Sequence, residues 1–202
     1  MKPYEKDLYE IIEKYQNEKP TLLLHSCCAP CSTQVIDFLY DYFALSIFFY
    51  NPNIYPLDEY EKRKYNQIKL IEKLKSEGKE IKYIDGDYDT DSFEQIAHGY
   101  ENEKEGGERC SRCFELRLQK TAEVANKMNF NFFSTTLTVS PHKNSQLIEK
   151  IGRKFDGKSK FFFYDFKKKD GYKKSIEFSK KYNLYRQNYC GCRYSLQIGE
   201  NK

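Results

Sequence analysis

Tryptophan is absent from the 202 residues, so planar surface falls to 18 Tyr and 15 Phe, which serve a core or stack on bases. No uninterrupted apolar run approaches the ~20 residues of a membrane-spanning helix, and no membrane partner is expected. The opening Met1-Lys2-Pro3-Tyr4-Glu5-Lys6 has no apolar core of the kind a secretory leader carries. The expected location is cytoplasmic, where thiols stay reduced. Internal repeats are missing, and so is any linker long enough to divide domains. The length suits a single α/β domain over 1–202, with 1–19 as an N-terminal helix extension.

Cysteine is plentiful instead. Seven is an odd number, so complete disulfide pairing is impossible. The seven fall into three clusters: Cys27, Cys28 and Cys31; Cys110 and Cys113; Cys190 and Cys192. Clustered thiols in a reducing compartment point to metal ligands or redox groups, and thiolates suit zinc, copper(I) or iron–sulfur clusters. A tetrahedral zinc held by Cys28/Cys31 and Cys110/Cys113 leaves three thiols without a role. Four thiolates for a cubane and three for a separate metal with an open position employ all seven. Cys27 and Cys28, as neighbours, are expected to diverge and to bridge two centres rather than share one ion. Disulfide exchange is the competing use of such pairs.

Net charge is +4, but 16 Lys and Arg against 6 Asp and Glu lie in Lys143–Lys202. A basic third on an otherwise acidic chain suggests a polyanion partner, with a solvated lysine-rich face as the plain alternative. That part, 143–202, is expected to complete the sheet and the metal site.

Strand-like and helix-like patterns alternate. Strands are expected at Thr21–His25, Ala44–Tyr50, Ile81–Ile84, Asn131–Leu137 and Phe161–Tyr164. Helices are expected at 4–17 (Leu8, Ile11 and Ile12 inward) and 32–42. A long one follows with Leu57, Tyr60, Ile68, Ile71 and Leu74 on its face. Others are expected at 91–98, from Cys110 to Met128 with Met128 on the apolar stripe, at 143–152 and about 172–182. Alternation of this kind argues for a Rossmann-like three-layer parallel sheet. Cys27, Cys28 and Cys31 then sit at a strand's carboxyl end, where such sheets keep their chemistry.

Five phrases resemble, in order, the QueH family of epoxyqueuosine reductases: His25-Ser26-Cys27-Cys28-Ala29-Pro30-Cys31, Asn51-Pro52-Asn53-Ile54, Glu105-Gly106-Gly107-Glu108-Arg109-Cys110-Ser111-Arg112-Cys113-Phe114, Thr135-Thr136-Leu137-x-x-Ser140-Pro141 and Tyr189-Cys190-Gly191-Cys192. The resemblance implies a sheet like that of ATP-pyrophosphatase-type tRNA enzymes (the HUP class). It implies reduction of the epoxide of epoxyqueuosine, at the wobble base of tRNA, in the last step of queuosine formation. It also implies a [4Fe-4S] cluster beside a mononuclear iron, with no cobalamin and an electron donor still to be identified. Some relatives carry Asp where this chain has Cys31, which leaves open how the ligands divide between the two centres. ATP-pyrophosphatases have a glycine-rich phosphate loop after the first strand. Ser26-Cys27-Cys28-Ala29-Pro30-Cys31 has no glycine there, so no ATP use is expected.

Opening an epoxide to an alkene takes two electrons and two protons. Candidate proton donors are Tyr50, Asp85 and Tyr189, with Asp87 and Tyr194 behind them. Candidate tRNA contacts are Asn51 and Asn53, Arg109 and Arg112 with Arg117, Thr135, Thr136 and Ser140, and Lys167, Lys168 and Lys169. Each has a plain structural alternative as turn, cap or solvated charge. His25 reads equally as a ligand and as a satisfied buried histidine. The runner-up function is a zinc-stapled, non-catalytic RNA-binding domain. A cluster-dependent tRNA sulfur-transfer enzyme is a third reading, disfavoured by the missing phosphate loop.

Overall fold

A computed structural model describes residues 5–16 and 18–199. Helix α1 (Lys6–Tyr15) leads into β1 (Thr21–His25), α2 (Ala29–Leu39), β2 (Ala44–Phe49), α3 (Leu57–Ser76) and β3 (Lys82–Asp85). The chain continues through α4 (Thr90–Ala97), α5 (Glu108–Lys127), β4 (Phe132–Thr135), a 3-10 turn (Thr136–Val139) and α6 (Ser145–Arg153). It then forms β5 (Lys160–Phe161), α7 (Gly171–Lys181) and α8 (Arg193–Gly199). The five strands pair in the order β3-β2-β1-β4-β5, all parallel. No described helix is long and apolar enough to cross a membrane.

The layers follow from side-chain alternation. Leu22 and Leu24 of β1 and Leu45 and Ile47 of β2 face one core, closed by α1, α2 and α3 through Ile11, Val35, Ile36, Leu70 and Leu74. Leu23 and Phe48 face the other, closed by Phe114, Leu118 and Ala122 of α5 and Ile148 and Ile151 of α6. Strands buried on both faces become continuous apolar runs, as Leu22-Leu23-Leu24 is. The chain runs outward from β1 to β3, then returns to lay β4 on the other flank of β1. A crevice therefore opens beyond the carboxyl ends of β1 and β4.

Several boundaries move from expectation, for local reasons. The first helix is Lys6–Tyr15, and residues 4 and 17 of its expected span lie outside the described residues. Helix α2 starts three residues early, because Pro30 in its first turn needs no backbone donor. The fourth strand stops at Thr135, whose hydroxyl caps the 3-10 turn by accepting from Leu137 N at 3.1 Å. The fifth is shorter than Phe161–Tyr164. Past Phe161, Asp7 accepts from Phe163 N (2.8 Å), and the Ser134 and Thr138 hydroxyls donate to Phe162 O and Tyr164 O. Ile12, Leu57 and Met128, expected inward, are exposed. Helix α8 was not anticipated.

Candidate metal centre

The centre is built where β1 ends. Ser26 leaves the strand with its hydroxyl on Gln67 Oε1 (2.7 Å), and Ser32 on α2 donates to the same oxygen (3.0 Å). This pins α2 to α3 and fixes the turn from β1 into α2. Cys28 is the N-cap residue of α2 (φ −172°, ψ 154°), the point where the chain leaves β1 and turns into the helix. Their sulfurs lie 3.8 Å apart, and those of Cys27, Cys28 and Cys31 all fall within 4.8 Å of one another. Metal–sulfur bonds of ~2.3 Å in a tetrahedral array place sulfurs ~3.8 Å apart, so these three suit one ion. The expectation that Cys27 and Cys28 diverge is therefore corrected.

The three thiols influence one another strongly. Hydrogen bonding from the thiols of Cys28 and Cys31 holds Cys27 well below the usual thiol range, with Lys143 and Arg117 adding positive charge. The same coupling to Cys27 pushes Cys28 up to about 12 and raises Cys31. A cation bound by all three would have to displace their thiol protons. Thr136 Oγ1 lies 3.6 Å from Cys27 Sγ, and Gln187 Nε2 donates to Cys28 Sγ at 2.9 Å.

The other four thiols surround a second, smaller cavity. Cys110 and Cys113 come from the first turns of α5, and Cys190 and Cys192 from the segment before α8. Burial pushes Cys113 up to about 12 and raises Cys110 and Cys192. Arg63, on α3, anchors that segment. It is buried, pairs with Glu59 at 2.6 Å, and donates to Cys190 O (3.1 Å) and Tyr189 O (3.3 Å). Cys190 also lines the larger cleft, about 360 Å³, whose floor holds Cys27 and Cys31. The two thiol groups therefore adjoin across Cys190 and Arg117, which line both spaces. Lys143, also in the cleft, loses basicity to burial but gains more from Cys190, Cys27 and Cys31, and is raised overall.

The remaining expected residues divide by location. Tyr189 and Ser140 line the cleft. The Tyr189 hydroxyl donates to Tyr55 O (2.6 Å), and burial pushes its pKa up to about 12. Tyr50 is buried, stacks parallel to Phe48 and lines neither space. Asp85 pairs with Lys64 and accepts from the Tyr83 hydroxyl (2.9 Å), and Asp87 is exposed. Tyr194 packs over the Arg109 guanidinium (4.7 Å). Arg109 lines the four-thiol cavity and donates to Tyr100 O and Glu101 O, both 2.8 Å. Arg112 bonds Tyr100 Oη (2.8 Å) and pairs with Glu108. Asn51 donates to Ser26 O (2.9 Å) and accepts from Arg117 (3.3 Å), whereas Asn53 lines the four-thiol cavity. Thr135 bonds His25 Nδ1 (2.9 Å), and His25 Nε2 donates to Tyr50 O (3.0 Å). Both ring nitrogens of His25 are thus used, and it is a satisfied buried residue. Lys167 pairs with Asp165 and Lys169 with Glu5, while Lys168 and Lys169 border a groove beside Asp37 and Phe38.

Arg63, Gln67, Lys143, Tyr172, Arg186 and Gln187 were not anticipated. For Arg63 and Gln67 a signal existed: they fall in helical register with Tyr60, Leu70, Ile71 and Leu74 on the buried side of α3.

Fold and site together define a Rossmann-like α/β protein with a metal-competent thiol centre at the point where its strand order reverses. The chain belongs to the epoxyqueuosine reductase QueH family, a family of oxidoreductases, whose model matches residues 22–198. It is 41% identical over 199 residues to the epoxyqueuosine reductase QueH of Staphylococcus epidermidis, covering 95% of this chain and 84% of that protein. The counterparts from Thermotoga maritima (40% over 182 residues; 87% and 90% covered) and Streptococcus pyogenes (36% over 200 residues; 96% and 78%) carry the same name.

Proposed function

We propose that this protein reduces the epoxide of epoxyqueuosine in tRNA to the cyclopentene of queuosine, with a [4Fe-4S] cluster and a neighbouring iron and without cobalamin. The observation that carries the reading is the gathering of all seven thiols into two adjoining groups at the sheet's switch point, joined at Cys190. Cys27, Cys28 and Cys31 suit a single iron by their sulfur spacing. Cys110, Cys113, Cys190 and Cys192, arrayed around a cavity of their own, suit a cubane. When bound, the cubane supplies electrons singly and the open iron acts as a Lewis acid toward an oxygen.

The chain's own residues do the rest. The cleft falls in the size range of small-molecule sites. Tyr172, 40% exposed at its edge and 5.4 Å from the Arg186 guanidinium, offers a face for a base. Lys143 and Arg186 supply positive charge for the flanking phosphates. Among the candidate donors, Tyr189 lines the cleft with its phenol protonated at neutral pH, and it can release a proton to the departing oxygen once its hydroxyl exchanges Tyr55 O for that oxygen. The overall change takes up two electrons and two protons and releases the oxygen as water. The electrons enter from a donor outside the chain.

The test is anaerobic metal and sulfide analysis followed by product mass on tRNA bearing epoxyqueuosine. About five iron and about four sulfide per chain, with reduced nucleoside formed under dithionite, is the expected result. Stoichiometric zinc with no sulfide after reconstitution, and no product, would leave only a stapled RNA-binding domain.

A further inference from the structure

Asn53 is 2% exposed, and neither its Nδ2 nor its Oδ1 has a hydrogen-bond partner among the described residues. A buried amide left unpaired costs about 1–3 kcal/mol for each polar atom, so folded chains rarely retain one without a use. Its neighbour in sequence, Asn51, is different, with both side-chain atoms engaged by Ser26 and Arg117.

Asn53 cannot swing out to water, because the backbone on its far side is tied down. Ile54 N donates to Asn51 O (3.2 Å), and Tyr55 N donates to Gly191 O (2.8 Å). The Tyr88 hydroxyl donates to Ile54 O (2.6 Å). The bond to Gly191 clamps this loop onto the Cys190–Cys192 segment. Gly191 permits the approach: its φ is +113°, and a Cβ there would lie 2.9 Å from Arg63 Nη1 and 3.1 Å from Ile54 Cγ1. The amide is thereby held against the cavity of Cys110, Cys113, Cys190 and Cys192. Arg117 lines the same cavity. Its Nε donates to Cys113 O (3.4 Å) and its Nη1 to Asn51, while its Nη2 has no partner among the described residues.

We infer that Asn53 Nδ2 and Arg117 Nη2 donate hydrogen bonds to the sulfur atoms of the iron–sulfur group seated among these four cysteines, and so set its reduction potential. The inference rests on the functional reading above for the presence of that group. Sulfur gains negative charge when such a group is reduced, so N–H donors aimed at it stabilise the reduced form and raise the potential. The reciprocal holds for the metal-free chain, where the same donors are only a burden on stability.

The test uses Asn53→Leu, close in size and without polar atoms. In the metal-free protein the melting temperature should hold or rise. In the reconstituted protein iron and sulfide content should match wild type, while a dithionite titration followed by absorbance and electron paramagnetic resonance should show a lower midpoint. A tenfold shift in the one-electron equilibrium, about 59 mV, is expected. Asn53→Asp, which removes one donor group and adds an acceptor, should move the midpoint in the same direction. An unchanged midpoint in both variants, with sulfide bound, would overturn the inference and leave the functional reading standing. A shifted midpoint in the variants, alongside wild-type protein that makes no queuosine, would do the reverse. Wild-type protein that never binds sulfide would overturn both.

Discussion

Arg63→Met removes a guanidinium that ties three backbone and side-chain acceptors together while keeping most of the apolar stem. Arg63 is 2% exposed and Glu59's side chain only 10%, so solvent does little to replace what is lost. Breaking a buried pair by deleting one partner costs about 3–5 kcal/mol. Glu59 keeps the Tyr185 hydroxyl (2.9 Å), which argues for the lower half of that range. For a chain of this length each kcal/mol lowers the melting temperature by about 2–4 °C, so a fall of about 6–16 °C is expected for the metal-free protein. The carbonyls released belong to Tyr189 and Cys190, so iron retention through a desalting column should fall as well. Calorimetry and iron analysis on the same preparation read both effects. A melting temperature within about 2 °C of wild type together with full iron retention would refute the assignment of Arg63 as the anchor of the Cys190 segment.

Tyr172→Ala should raise KM for tRNA by about tenfold, as loss of a base-stacking face worth ~1–3 kcal/mol requires, with kcat and metal content held and Tyr172→Phe close to wild type. Cys28→Ser should weaken the sulfur-to-cobalt charge-transfer band of the cobalt-loaded triad by about a third or more, two thiolates remaining, while leaving sulfide content at wild-type level, a split checked by absorption and sulfide assay. Asp89 caps α4 by accepting from Ser92 N (3.1 Å) and the Ser92 hydroxyl, which hold its carboxyl below the usual range. Asp89→Ala should therefore cost about 1 kcal/mol at neutral pH by urea denaturation. Because the folded-state pKa is depressed, that contribution is present above the unfolded value of about 3.9 and is lost as pH falls below it, so the two proteins should converge in acid.

The alternation of strands and helices was legible because both faces of the sheet are covered, which turns each strand into an apolar run bounded by helical periodicity. Periodicity failed where a helix meets solvent at its end: Leu57 opens α3 and Met128 follows α5, and both are exposed. It also failed at α8, where Cys190-Gly191-Cys192 draws the eye to its thiols and only seven helical residues follow. Within the site, residue type and spacing marked every thiol. The meeting of Cys27 with Cys28 was not legible, since it depends on the extended turn at the head of α2. Nor were the different fates of Asn51 and Asn53, which look alike in sequence. One is spent on holding β1 to α5, and the other is left facing a cavity. That distinction exists only after a loop from residue 51 has been laid on a segment from residue 190.

The four-thiol group has a topological consequence. Its two halves, Cys110 with Cys113 and Cys190 with Cys192, stand nearly eighty residues apart in the chain, with β4, α6, β5 and α7 between them. Anything that binds all four acts as a reversible cross-link closing one long loop. A covalent tie of that span restricts the unfolded chain by about 4–5 kcal/mol. Loss of anything bound by all four would therefore slacken the stretch from α5 to α8, leaving the Cys190 segment held by Arg63 and by the hydrogen bonds that tie Tyr189 and Gly191 to Tyr55.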